Sequence, residues 1–501
     1  MEPFAYDDLK ALGTPLPYDV AGRKLYGDFE GALRLIDAWL LKDISGNLRS
    51  RLRVEREILR VLPEDYPYSF KEAFREASSV YPDLTPKRFR ALQDDGRIDW
   101  IYVNGKEHFI SSTAGTLRRE VGKARRKAQA LARGSEFEEG SVLQESIRRM
   151  QRDGADTWRF RVRMTLRIHE DAFRKEPVKV YLPVVCGCDY VSDIELISVS
   201  PQEYELSPED APIRTICYKE DLIRNHDFHV EYAFTVRSVY HDLWSEEALE
   251  ANRRAWKARL SGGSAAGASP DGQAGPAAGE SSEGLSGGAA GDVDAVRPED
   301  LSEMLPHIVF TPFLRDLAEQ ITKDLDTPLE KVRAIYDYIT TKVRYSYVRS
   351  YCTIDNLSEY ALLNGKGDCG LQALSFIALC RICAVPARWQ SGNESLDGGV
   401  SAHDWAQVYL EPWGWLYCDP SYGGGAYQCG APIRRRHYLG NLDPFRVPSC
   451  TAFQVQLAPP MRYWRADPYD NQSGEVEFED GSLSEHEFTT TKELVSAERI
   501  G

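Results

Sequence analysis

The sequence predicts a multidomain α+β protein. Three observations carry that prediction. Apolar residues recur at helical spacing through the first 150 or so positions, a period-two alternation begins at Trp158, and a Gly/Ala/Ser tract separates both from a second half of mixed character. At 501 residues the chain is longer than one hydrophobic core can serve. Its composition, 42% hydrophobic and 28% charged, is that of an ordinary globular protein.

Residues 1–150 form the helical region. Phe29, Leu33, Ile36 and Leu40, then Leu48, Leu52, Leu59 and Leu62, are spaced to give apolar helix faces. Trp100 to Lys106 ends in Asn104-Gly105, a strong signal for a tight hairpin. Two helices and a hairpin have the outline of a winged helix, and the basic run Arg118 to Arg133 is the place for a phosphate contact. The formal charge of −16 argues against nucleic acid and anionic membranes, so this run is read as a solvated connecting helix.

Residues 155–245 are expected to form an antiparallel β-sandwich. Trp158, Phe160, Val162, Met164, Leu166 and Ile168 alternate with polar neighbours, and further strands are expected near 178–185, 194–199, 213–218 and 228–236. Cys186 and Cys188 lack a second pair at zinc spacing, and no metal is assigned to them. From 261 to 292 the composition collapses to Gly, Ala and Ser. Such a tract cannot offset its ordering entropy and reads as a flexible linker spanning roughly 30 Å. The domain beyond it, 298–470, is expected to be independent, and 475–501, with Glu475, Glu477, Glu479 and Asp480, to be an acidic tail of little structure.

That last domain holds the candidate chemistry. Thr327-Pro328-Leu329-Glu330 is a capping box with Pro at the first helical position, and Val332, Ile335, Ile339 and Val343 follow on one face. Asn364 to Asp368 is a polar, glycine-rich turn immediately before Cys369, after which Leu371, Leu374, Ala378 and Ile382 keep helical spacing. Cys369 therefore starts a helix, where free amides and the positive dipole end are expected to lower its pKa. Cys380 and Cys383 lie late in an apolar helix and read as packing residues, and Cys352, Cys418, Cys429 and Cys450 have no setting that suggests chemistry. His403 opens an alternating strand, Pro412-Trp413-Gly414 turns the chain, and Trp415 to Asp419 returns, so His403 and Asp419 approach the same end of a hairpin. A thiol, a base and a group to orient the base are what nucleophilic acyl transfer needs.

At these residues the chain resembles the transglutaminase-like superfamily of papain-like thiol enzymes. The resemblance rests on the Gly-x-Gly-x-Cys approach to Cys369, the Val385-Pro386-Ala387-Arg388 segment, the His403-Asp404-Trp405 strand and Asp419-Pro420. It extends over about 150 to 170 residues, from near Leu301 to near Asp470. One departure is Ala384, where the family commonly has glycine. The resemblance implies an α+β core in which Cys369 attacks a carboxamide or peptide carbonyl, His403 moves the proton and Asp419 orients the imidazole. A thioacyl intermediate follows, its oxyanion held by the Cys369 amide and either Tyr345 or Tyr347. It implies a protein or peptide substrate and no cofactor. Water as acceptor makes a protease or deamidase, and an amine makes a transglutaminase; hydrolysis is favoured because water needs no second binding site. The glycanase branch is disfavoured, since its paired zinc cysteines are missing. The alternative is a non-catalytic interaction scaffold. Ten cysteines at low density, an amino terminus without a basic-then-apolar pattern, and no run of about 18 apolar residues read as cytoplasmic. Oligomeric state is not legible.

Overall fold

The computed structural model describes residues 5–133, 141–261, 295–396 and 399–501. Among the described residues seven α-helices precede the sandwich: α1 (Tyr18–Leu25), α2 (Phe29–Leu40), α3 (Gly46–Asp65), α4 (Phe70–Ser78), α5 (Pro86–Asp94), α6 (Thr113–Arg133) and α7 (Val142–Asp153). The expected apolar faces are buried: Phe29, Ile36, Leu52, Leu59 and Leu62 share one cluster. Between α4 and α6 the short strands β2 (Trp100–Val103) and β3 (Lys106–Phe109) pair as a hairpin, with β1 (Tyr68–Ser69) on the far side of β3. Asn104 and Gly105 turn it with φ of 51° and 71°, the left-handed conformation that Asn-Gly adopts most easily.

Two four-stranded sheets form the sandwich. One has the order β17-β5-β8-β7, from β5 (Pro177–Pro183), β7 (Tyr204–Leu206), β8 (Thr215–Asp221) and β17 (Glu475–Phe478). The other has the order β18-β4-β9-β6, from β4 (Ala155–Ile168), β6 (Val191–Ser200), β9 (Phe228–Val239) and β18 (Phe488–Arg499). The expectation of an acidic tail at 475–501 is therefore corrected. β18 pairs antiparallel with β4 from Phe488↔Ile168 to Arg499↔Trp158, and β17 pairs with β5. Thr489, Thr490, Thr491 and Val495 supply β-branched residues that suit a strand. Two of the four acidic residues are buried acceptors: Glu477 takes Lys179 Nζ at 2.9 Å, and Glu475 takes the amides of Ala466 and Asp467 at 2.6 and 2.9 Å, whereas Glu479 and Asp480 are exposed.

The second half contributes α9 (Pro312–Thr322), α10 (Pro328–Lys342), α11 (Leu357–Asn364), α12 (Cys369–Ile382), α13 (Pro420–Cys429) and α14 (Pro432–His437); α8 (Glu246–Ser261) joins them from the sandwich side. Its main sheet runs β15-β14-β13-β12-β16, built from β12 (Ala387–Leu396), β13 (Gly399–Leu410), β14 (Gly414–Cys418), β15 (Leu439–Gly440) and β16 (Arg446–Cys450). A small parallel ladder, β10 (Arg344–Tyr345) with β11 (Lys366–Gly367), delivers the chain to α12. The capping box forms: Glu330 Oε2 accepts from the Thr327 amide at 2.9 Å.

Of the expected linker, 261–292, Ser261 ends α8 and the remainder lies outside the described residues. The loose tethering read from it is corrected by the packing on either side. The core around α12 includes Leu9, Leu12, Val54 and Ile58 from the helical region, Leu243 from the segment before α8 and Ala248 from its first turn. Asn252 of α8 donates to Glu411 O at 2.7 Å and accepts from the Leu329 amide at 3.0 Å. Trp405, Phe445 and Val447 of the main sheet in turn lie in the sandwich core. Local patterning cannot register such sharing, because each element's apolar face is the same whichever element covers it.

Ala384 shows how the chain accommodates its departure from glycine. Its φ is +58°, so the turn after α12 keeps the left-handed conformation despite the methyl group.

Candidate active site

Cys369 is the first residue of α12, as the glycine-rich turn predicts. Asp368 caps the helix, its Oδ1 accepting from the Leu371 amide at 3.2 Å and from Tyr351 Oη at 2.7 Å. Gly370 admits no side chain, since a Cβ would come within 2.8 Å of Asp404 Oδ2. That close approach brings Asp404 to the thiol: Cys369 Sγ donates to Asp404 Oδ2 at 3.2 Å. Gln472 Nε2 holds the other carboxylate oxygen at 2.5 Å and also reaches His403 O at 3.2 Å.

This arrangement corrects the expected low cysteine pKa. Burial pushes the Cys369 thiol well above its usual range, and the carboxylates of Asp404 and Asp368 push in the same direction, outweighing the helix start. Burial also raises Asp368 to about 7 and Asp404 to about 6.

His403 and Asp419 meet as the hairpin predicts. His403 Nε2 lies 2.7 Å from Asp419 Oδ2, and both are buried. The pairing Ala406↔Cys418 sets the hairpin register, and Asp419 follows directly as the N-cap of α13, its Oδ1 accepting from the Tyr422 amide at 2.8 Å. Behind them stands Arg446 of β16, wholly buried. Its Nη1 makes a charge contact of 3.1 Å with Asp419 Oδ2, off the line of a hydrogen bond, and its Nη2 donates to Asp443 at 2.8 Å. Burial opposes ionisation of Asp419, yet His403 and Arg446 hold its carboxyl below the usual range. Burial likewise disfavours an imidazolium at His403, and the charge and hydrogen bond of Asp419 reverse that and raise it.

Among the described residues no hydrogen bond joins Cys369 to His403. Strand alternation gives the reason. Asp404 shares the parity of Ala406, Val408 and Leu410, which pack with α12, whereas His403 shares that of Trp405, which packs in the sandwich core. The structure thus brings together one pair, His403 with Asp419, and a second, Cys369 with Asp404.

Tyr345 and Tyr347, the expected oxyanion donors, stand edge to face with centroids 5.6 Å apart. Tyr345 is buried and pairs with Gly367, two residues before Cys369; Tyr347 is exposed. Over both rings lies Arg119 of α6, with its Cζ 4.2 and 5.5 Å from the two centroids. The basic helix is therefore not merely a solvated connector.

All ten cysteines are free, and Cys380 and Cys383 pack in the core around α12 as expected. Asp65, Glu485 and His486 bring ligand atoms within 4.8 Å of one another. Both oxygens of Asp65 already accept hydrogen bonds from Ser350. No helix among the described residues is long and apolar enough to cross a membrane.

Sequence reasoning missed Asp404 as a partner of the thiol, Arg446 behind Asp419, and Arg119 beside Tyr345. Asp404 was visible in its motif, and the even-numbered apolar run 406, 408, 410 carries the parity that turns it toward α12. Arg446 and Arg119 reach the site from elements distant in sequence, with no local signal.

Residues 315–420 match the family model of the transglutaminase-like superfamily. An uncharacterised protein, YebA of Bacillus subtilis strain 168, is 27% identical over 129 residues, which make up 22% of this chain and 17% of that protein's length. A provisionally assigned cysteine protease from Cytophaga hutchinsonii is similar in structure, with a TM-score of 0.38 at 15% identity, over 69% of this chain and 91% of that one. The periplasmic domain of TgpA from Pseudomonas aeruginosa gives a TM-score of 0.26 at 12% identity, over 58% and 95%.

Proposed function

We propose that this chain, which carries a transglutaminase-like domain over residues 315–420, is a thiol-dependent acyl-transfer enzyme acting on protein or peptide amides. The observation that carries the reading is the 2.7 Å pair of His403 with Asp419, backed by Arg446, on the strand whose next residue, Asp404, accepts from the Cys369 thiol. Asp419, kept ionised, accepts from His403 Nε2 and leaves Nδ1 to take a proton. In the reaction the Cys369–Asp404 hydrogen bond breaks, a local movement brings Cys369 and His403, which lie toward opposite faces of β13, into reach, the thiol proton passes to His403, and the thiolate adds to the amide carbonyl. The first-turn amide of Cys369, which has no intrahelical acceptor, and Tyr345 Oη are the candidate oxyanion donors. His403 then protonates the leaving amine. Water hydrolyses the thioacyl intermediate and regenerates the thiol; an amine would instead give transamidation. Hydrolysis is favoured because it requires no second substrate site. A cytoplasmic setting belongs to the same proposal and rests on the ten unpaired thiols.

A second reading is favoured by one observation. Cys369 is hydrogen-bonded to a carboxylate and not to His403, as suits a non-catalytic interaction scaffold. Incubating a peptide library with and without added amine, and comparing wild type with Cys369→Ala by mass spectrometry, separates the two. Cleavage, a gain of about one dalton by deamidation, or an amine adduct, each abolished by Cys369→Ala, is the enzymatic outcome. No change in any peptide refutes the enzyme.

A further inference from the structure

We propose that Arg119 and Lys123 of α6 form a recognition site for a carboxylate carried by the peptide substrate close to the carbonyl that Cys369 attacks. The inference deepens the thiol-enzyme reading and rests on it. The two side chains are i and i+4 on one helix face, and both lie against the ring of Tyr345: Arg119 Cζ at 4.2 Å and Lys123 Nζ at 5.2 Å from its centroid. Because Tyr345 pairs with Gly367 in the ladder that leads into α12, the cations stand beside the approach to the thiol. The helix is anchored there. Leu117 is buried in the core beneath the hairpin, and Gly115 abuts Tyr347, where an added Cβ would lie 3.2 Å from the ring.

The neighbouring carboxylates are otherwise engaged. Glu120 faces Arg97 and Arg344, each at 3.4 Å. Glu394 accepts from Ser401 Oγ at 3.1 Å and from Tyr422 Oη. Among the described residues no carboxylate pairs with Arg119 or Lys123, although the chain has 77 acidic side chains against 61 basic ones. Two like charges held together without a counter-ion repel, and burial together with the charge of Arg119 brings Lys123 down to about 8. A bound carboxylate relieves that repulsion. A guanidinium stacked on a tyrosine ring also keeps its edge donors for a planar, two-oxygen acceptor.

The test compares alkylation of Cys369 by iodoacetate, which carries a carboxylate, with alkylation by neutral iodoacetamide, read by mass spectrometry of the Cys369 peptide. The iodoacetate-to-iodoacetamide rate ratio in the wild type is expected to fall on the order of tenfold in the Arg119→Gln/Lys123→Gln double variant at low salt, and to fall in the wild type as salt rises. Arg119→Lys is expected to retain part of the ratio. Protection of Cys369 from iodoacetamide then identifies the source of the carboxylate: an acetylated, amidated peptide with a glutamate beside glutamine reports a side chain, and the glutamate-free peptide with a free C-terminus reports an α-carboxylate. An unchanged ratio in the double variant, or equal protection by a neutral peptide, overturns the site. Failure of the nucleophile reading is read separately, as the absence of any Cys369-dependent change in the peptide library, and leaves the ratio measurable.

Discussion

Replacing Asp404 by Asn tests what holds the thiol in its resting state. Asp404 Oδ2 accepts from Cys369 Sγ at 3.2 Å, so the thiolate would form against a carboxylate. Two unit charges 3.2 Å apart repel by about 5 kcal/mol at an effective dielectric near 20, an upper bound for the pair. Asp404 is raised to about 6 by burial, so at pH 7 it is mostly ionised and the repulsion is present. Removing that charge in Asp404→Asn lowers the cysteine pKa, and the thiolate fraction at pH 7 rises about tenfold for each ~1.4 kcal/mol of repulsion relieved. The less basic thiolate is also a weaker nucleophile, by about threefold for each such tenfold gain, which leaves a net gain of about threefold in the iodoacetamide rate for each. The sign follows from the charge: removing a carboxylate lowers the cysteine pKa, and the midpoint of the pH–rate curve moves to lower pH. The assay is time-resolved labelling of the Cys369 peptide between pH 5 and 10. An unchanged or slower rate, with the midpoint in place, refutes the assignment of Asp404 as the group that keeps the thiol protonated.

Two further outcomes concern the fold. Ala384→Gly is expected to raise stability by about 0.5 to 1 kcal/mol in denaturant melts, because the strain of a left-handed alanine, about 1 to 2 kcal/mol, exceeds the extra unfolded-state entropy of glycine; its φ is +58°. Truncation after Ser473 is expected to abolish soluble, cooperatively folding protein, since it removes β17 and β18 and uncovers β4 and β5 as edges, with Val476, Phe478 and Phe488 lost from the sandwich core. A dispensable tail would leave the melt of the truncated chain unchanged.

The elements set by near neighbours were legible. The capping box at Thr327, the Asn104-Gly105 turn, the helix start at Cys369 and the hairpin that joins His403 to Asp419 each depend on residues a few positions apart, so their periodicity and turn chemistry speak for them. The C-terminal strands were not legible, because Glu475 and Glu477 look like solvated charge until Lys179 and the amides of 462–467 are brought over them.

By itself, then, the sequence determined which of the candidate residues share a turn or a hairpin, since a few bonded neighbours dictate those conformations. Tertiary structure decided how the site is charged. It set Asp404 rather than His403 against the thiol, buried Arg446 behind Asp419, and laid Arg119 and Lys123 beside Tyr345. The protonation of a buried group depends on desolvation and on charges within a few ångströms, and those charges come from strands and helices far apart along the chain.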